Sequence, residues 1–82
     1  RPVVTLHGAS GGDITITVEA MGHGKHKFRL RGDNLIVQDG ERELALPGKS
    51  TWTARPASDD APWVAVIDVD GHSSHRRDLV GY

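Results

Sequence analysis

The sequence predicts an all-β fold, a small single-domain antiparallel β-sandwich or barrel of about seven or eight short strands joined by tight turns. Three observations carry this expectation. Val, Ile and Thr together number 17, while ten Gly and four Pro interrupt every stretch of good helix formers. Where apolar residues cluster they recur at every second position, the period of a half-buried strand. Turn-forming residues then punctuate the chain at intervals of about 8–12 residues.

The elements follow in order. Residues 3–7 open with an apolar-rich strand. Residues 13–20 read D-I-T-I-T-V-E-A, with Ile14, Ile16, Val18 and Ala20 on one face and Thr15, Thr17 and Glu19 on the other. Residues 27–31 place Phe28 and Leu30 inward against Lys27, Arg29 and Arg31 outward, ending at the turn residues Gly32-Asp33-Asn34. Residues 35–38 return, Asp39-Gly40 supplies a hairpin turn, and residues 42–46 leave again until Pro47-Gly48 stops them, so three strands are expected to form a meander. Residues 50–55 carry Trp52 and Ala54 opposite Thr51 and Thr53, before a polar loop at 56–62. Residues 63–69 are apolar on both faces at first, the pattern of a central strand covered on both sides. After a turn at 71–74, residues 76–82 add a last strand through Leu79, Val80 and Tyr82. A single helical turn near residues 19–22 or 57–61 is the only helical alternative.

At 82 residues the chain holds one domain, residues 1–82, near the size at which one core becomes marginal. It has no Cys, which excludes disulfides, Cys-bound zinc and thiol chemistry. A net charge of −1 with moderate aliphatic content places it on the ordered side of the disorder boundary. The longest apolar run, residues 63–67, is too short to enter a bilayer, so the chain is expected to be soluble with no membrane partner. Arg1 stands where an initiator Met would, which suggests a processed form or a domain excised from a longer chain; no compartment follows.

Four of the five His fall in two H-x-x-H pairs, His23/His26 and His72/His75. Imidazoles at this spacing can share an ion, but zinc takes three or four oriented ligands, and solvated His in Gly-bounded turns is the simpler reading. Asp68-Val69-Asp70-Gly71 begins like a calcium loop, yet the Gly is misplaced and Leu79 falls where a bidentate carboxylate belongs. His7-Gly8-Ala9-Ser10-Gly11-Gly12 has the look of a glycine-rich oxyanion loop with no sheet large enough to serve it. Arg31-Gly32-Asp33 is ordinary turn chemistry. No convergent catalytic set is visible, so no enzyme and no cofactor are expected. Trp52 and Trp63 lie in apolar register and belong to the core rather than to a stacking platform.

Charge placement is the more informative feature. Lys25, Lys27, Arg29 and Arg31 occur without an acid among them, whereas Asp59, Asp60, Asp68 and Asp70 occur without a base. The basic strand, extended by Arg76 and Arg77, is the candidate partner-binding surface. Either neighbouring acids neutralise it, with Glu41 and Glu43 of the following strand the nearest candidates, or it is left for a partner. The expected function is a non-enzymatic macromolecule-binding module for protein–protein interaction, such as an inhibitor, an immunity-type protein, an accessory domain or an assembly subunit. The alternatives are an anion- or carbohydrate-binding module that uses residues 25–31 and a His-based metal-binding protein. Sheet edges at this size also invite homo-oligomers.

Overall fold

The computed structural model describes residues 3–9, 13–73 and 79–81. Among the described residues seven strands follow in chain order: β1 (Val3–Ala9), β2 (Ile14–Asp33), β3 (Leu35–Val37), β4 (Glu41–Pro56), β5 (Trp63–Val69), β6 (His72–Ser73) and β7 (Leu79–Gly81). They form one antiparallel sheet in the order β3-β4-β2-β5-β6, with β1 also paired to β2 and β7 to β5. The all-β expectation holds, in the form of an open seven-stranded sheet. The described residues include no helix, and both proposed helical turns are absent: residues 19–22 are strand, and residues 57–61 form a bent loop.

Two strands are much longer than local reading suggests. β2 joins residues 13–20 to residues 27–31 through Gly22-His23-Gly24, and β4 runs through Pro47-Gly48, which therefore does not end a strand. The β2–β4 ladder keeps one register from Ile14↔Ala54 to Ala20↔Gly48 and another from Gly24↔Leu46 to Arg29↔Glu41. Between them Met21, Gly22 and His23 oppose Pro47 alone, a three-against-one bulge. Gly22 and Gly24 adopt φ values of 135° and 81° there, conformations that a Cβ disfavours. Pro47 lacks an N–H, and opposite a bulge that absence breaks no ladder bond.

The bulge bends the ribbon. A straight strand of β2's length would extend about 66 Å at ~3.3 Å per residue, but the molecule's longest dimension is 40 Å. Arg42 and Ser50 are eight positions apart in one strand, beyond the reach of an arginine if that strand were straight. Even so, Arg42 Nη1 donates to Ser50 Oγ at 2.7 Å and to the Thr51 carbonyl at 2.6 Å.

The expected meander is also corrected. β3 pairs with the end of β4, Leu35↔Pro56 to Val37↔Ala54, while the second half of β2 pairs directly with the first half of β4. Once β4 curls back, its own end is the free edge nearest β3. β1 and β5 lie end to end along the other edge of β2, β1 on residues 15–21 and β5 on residues 28–33.

The inward sets meet in one core: Val4, Ile14, Ile16, Val18 and Ala20 with Phe28, Leu30, Leu46, Trp52, Ala54, Trp63, Ala65 and Ile67. Every alternation read from residues 13–20, 27–31 and 50–55 faces as expected, and both Trp are core residues. β5 is covered more thinly than expected, for Val64 and Val66 on its outer face are only half-buried. The Trp63 indole N–H is buried without an acceptor among the described residues, at a cost of about 1–3 kcal/mol.

Where β5 crosses the end of β2, a Cβ at Gly32 would lie 1.8 Å from the Val64 carbonyl oxygen. Gly32→Ala must therefore displace backbone and is expected to lower stability by at least about 2 kcal/mol. Ile67→Ala should cost about 2–5 kcal/mol, and the exposed Thr15→Ala within about 0.5 kcal/mol. Urea melts of the three variants check that ordering.

Candidate functional site

The charged outer face of the second half of β2 is the most distinctive surface. Alternation carries Phe28 and Leu30 into the core and turns Lys25, Lys27, Arg29 and Arg31 outward, all four exposed. The topology then places acidic residues on both sides. In the β2–β4 ladder Lys27 lies opposite Glu43 and Arg29 opposite Glu41; on the other side Arg29 lies opposite Asp68 of β5. A basic row thus runs between two acidic columns.

Only part of this row closes into ion pairs. Arg31 reaches diagonally to Asp68, donating from Nε to Oδ2 at 2.8 Å and from Nη2 to Oδ1 at 3.3 Å, with Ser73 Oγ a further acceptor at 3.4 Å. Lys25, Lys27 and Arg29 make no ion pair with the described residues. Glu41 and Glu43 therefore stand where the sequence placed the neutralising carboxylates, yet the side chains do not join. Arg76 and Arg77, the expected extension of the ridge, lie outside the described residues.

At the bulge end of the row the histidines part company. His26 is half-buried, with Nδ1 2.6 Å from Asp70 Oδ2 and Nε2 3.0 Å from the His23 carbonyl. Both of its ring nitrogens are thus committed within the protein, and His23 contributes a carbonyl rather than its ring. Asp70 also accepts the Lys27 amide at 2.9 Å, and its own amide donates to the Lys27 carbonyl at 2.8 Å. The His26 pKa is raised, first by the bond to Asp70 and then by that to His23, and Asp70 is lowered chiefly by the same His26 bond. His72 is exposed on β6, and His75 lies outside the described residues. No group of three or more metal-ligating side chains converges among the described residues.

The polar loop at 56–62 is pinned by Asn34. Asn34, at φ 53°, donates to the Ser58 and Ala61 carbonyls at 3.1 and 3.0 Å and accepts the Ser58 amide at 2.9 Å. Sequence reading did not join Asn34 to Ser58 or His26 to Asp70, although the H-x-x-H spacing and the Asp68-Val69-Asp70 alternation had singled out both members of the second pair. No protein-family model, curated protein or solved structure matches the chain.

The Arg31–Asp68 pair is exposed on the arginine side but largely buried on the carboxylate side, so Arg31→Ala is expected to cost about 1–3 kcal/mol. Lys27→Ala and Arg29→Ala should each stay within about 0.5 kcal/mol. Chemical denaturation at low and high salt checks these values.

Proposed function

We propose that the chain is a non-enzymatic binding module that recognises another protein through the outer face of β2, with Lys25, Lys27 and Arg29 as the contacting cations and Arg31 at the end of their row. The observation that carries this reading is the unpaired state of those three cations among the described residues, although carboxylates stand directly across the ladder from two of them. Charges already spent in internal pairs have little to offer a partner, whereas exposed ones steer encounter and fix register.

The flanking acids favour a protein over a polyanion. A phosphate or sulfate polymer laid along the row would run about 5 Å from like charges on each neighbouring strand. A protein surface can instead present acids to the row and bases to Glu41, Glu43 and Asp68. Phe28, Trp52 and Trp63 are all buried, which leaves no aromatic platform among the described residues for stacking sugars or bases. An inhibitor, an immunity-type protein, an accessory domain or an assembly subunit all suit such a rigid, striped face.

The test is capture from an extract of the source organism on immobilised protein, followed by association kinetics with the captured partner. Lys27→Glu/Arg29→Glu should keep the fold, since both positions are exposed, and slow association about tenfold at low salt, with the difference shrinking as salt rises. Unchanged kinetics at every ionic strength would move the site elsewhere. Salt-sensitive retention of the wild-type chain on heparin, with no protein captured, would favour the anion-binding alternative.

A further inference from the structure

The pairing of His26 with Asp70 joins two places that no ladder joins. β1 leaves the edge of β2 at Met21, and β5 reaches it only at Phe28, so residues 22–27 have no strand partner on that edge among the described residues. The turn after β5 crosses this gap. Asp70, at φ 52°, exchanges two bonds with the Lys27 backbone and meets the His26 ring.

Both ring nitrogens of His26 face oxygen atoms that only accept, a carboxylate at Nδ1 and a backbone carbonyl at Nε2. A neutral imidazole carries one N–H, so it leaves a lone pair against one of these oxygens; the imidazolium donates to both. We propose that His26 and Asp70 form a proton-operated latch, closed when His26 is an imidazolium and released when it is neutral, which fastens the β5–β6 turn to the bulge of β2. The latch acts in the free protein and stands apart from the partner reading.

The surrounding charges come from three elements. On β2, His23 supplies the carbonyl, and Lys25 and Lys27 flank His26 in the chain. Across the ladder β4 presents Leu44 directly opposite, with Glu43 beside it. The β5–β6 turn supplies Asp70 and then His72, whose positive charge also favours the Asp70 carboxylate. His26 is raised above 6.5, so its contribution is fully present below that value and is lost as pH rises through the raised value. Asp70 is lowered below 3.8, so its contribution is present above that value and is lost as pH falls through the lowered one. The latch is closed in mild acid and opens on the alkaline side.

Two variants separate the latch from a passive contact. In Asp70→Asn the side chain still tolerates positive φ and keeps an acceptor for the Lys27 amide, while its NH₂ now donates to a neutral Nδ1. That change inverts the preference of His26. His26→Gln removes the titrating group altogether.

The experiment is an NMR pH titration of the imidazole nitrogens together with protection factors of the Lys27 and Asp70 amides. In the wild-type chain His26 should titrate above 6.5, and protection of both amides should fall about tenfold as pH rises through that titration. In His26→Gln the fall should vanish. In Asp70→Asn His26 should titrate lower than in the wild type, and protection should hold on the alkaline side and weaken toward acid. A wild-type His26 titrating at or below 6.5, an amide profile unchanged in His26→Gln, or a wild-type direction retained in Asp70→Asn would each overturn the latch.

Discussion

Everything in this molecule depends on the bend in the β2–β4 ribbon. Two long antiparallel strands joined flat would present one apolar face along their length and have nothing to cover it, an arrangement that is marginal in water. Folding the ribbon at Met21, Gly22 and His23 opposite Pro47 brings Ile14, Ile16 and Val18 into the same core as Phe28 and Leu30. Arg42 and Trp52 secure the fold-over. The guanidinium lies 4.5 Å from the Trp52 ring centroid and donates to the Asp39 and Thr51 carbonyls and to Ser50 Oγ. The Trp52 N–H in turn donates to the Asp39 and Gly40 carbonyls. A half-buried cation and a fully buried indole thereby satisfy each other's surroundings, and the start of β4 is tied to its own far end.

The same bend creates the charged face. It borders the second half of β2 with β4 along residues 24–29 and with β5 along residues 28–33, so its outward row of cations is carried on paired backbone. Exposed pairs on such a face contribute little to stability. Their composition is therefore only loosely held by stability, whereas the inward residues of the same strand are held by packing. Arg31 lies between the two cases. Its carboxylate partner Asp68 is largely buried, and the pair also bridges β2 to Ser73 on β6.

Strict alternation made the inward face legible in advance. Ile14, Ile16, Val18, Phe28, Leu30, Trp52, Ala54 and Ile67 each faced inward as their period implied, because the choice of face is a local property of a strand. Glu41 and Glu43 were legible as the acids nearest the basic strand because little chain separates them, but their direct opposition to Lys27 and Arg29 was not, since the expected meander put residues 35–38 between. Long-range properties were not. Pro47-Gly48 reads as a stop by every local rule, and only the bulge on a strand more than twenty residues earlier makes it a corner. β3 pairs with the end of β4 instead of with its neighbours in sequence because the ribbon has already folded back. His26 and Asp70 are 44 positions apart, and Asn34 binds Ser58 from 24 positions away. No spacing rule reaches across such separations.

The bulge therefore has two consequences that follow from one cause. Interrupting the ladder is what lets the ribbon bend, but interruption also leaves backbone groups without the partners that a regular sheet would supply. At this site one such group, the His23 carbonyl, is satisfied by a histidine ring, and the ring's other nitrogen is satisfied by a carboxylate from the turn that spans the gap beside β2. Elsewhere the sheet is held by amide hydrogen bonds that do not titrate near neutrality. At the corner, the repair depends on one group that does, the His26 ring. The place where the fold is most sharply shaped is thus also the place where a change of one proton can loosen it, and it lies next to Lys25 and Lys27 at the end of the charged row.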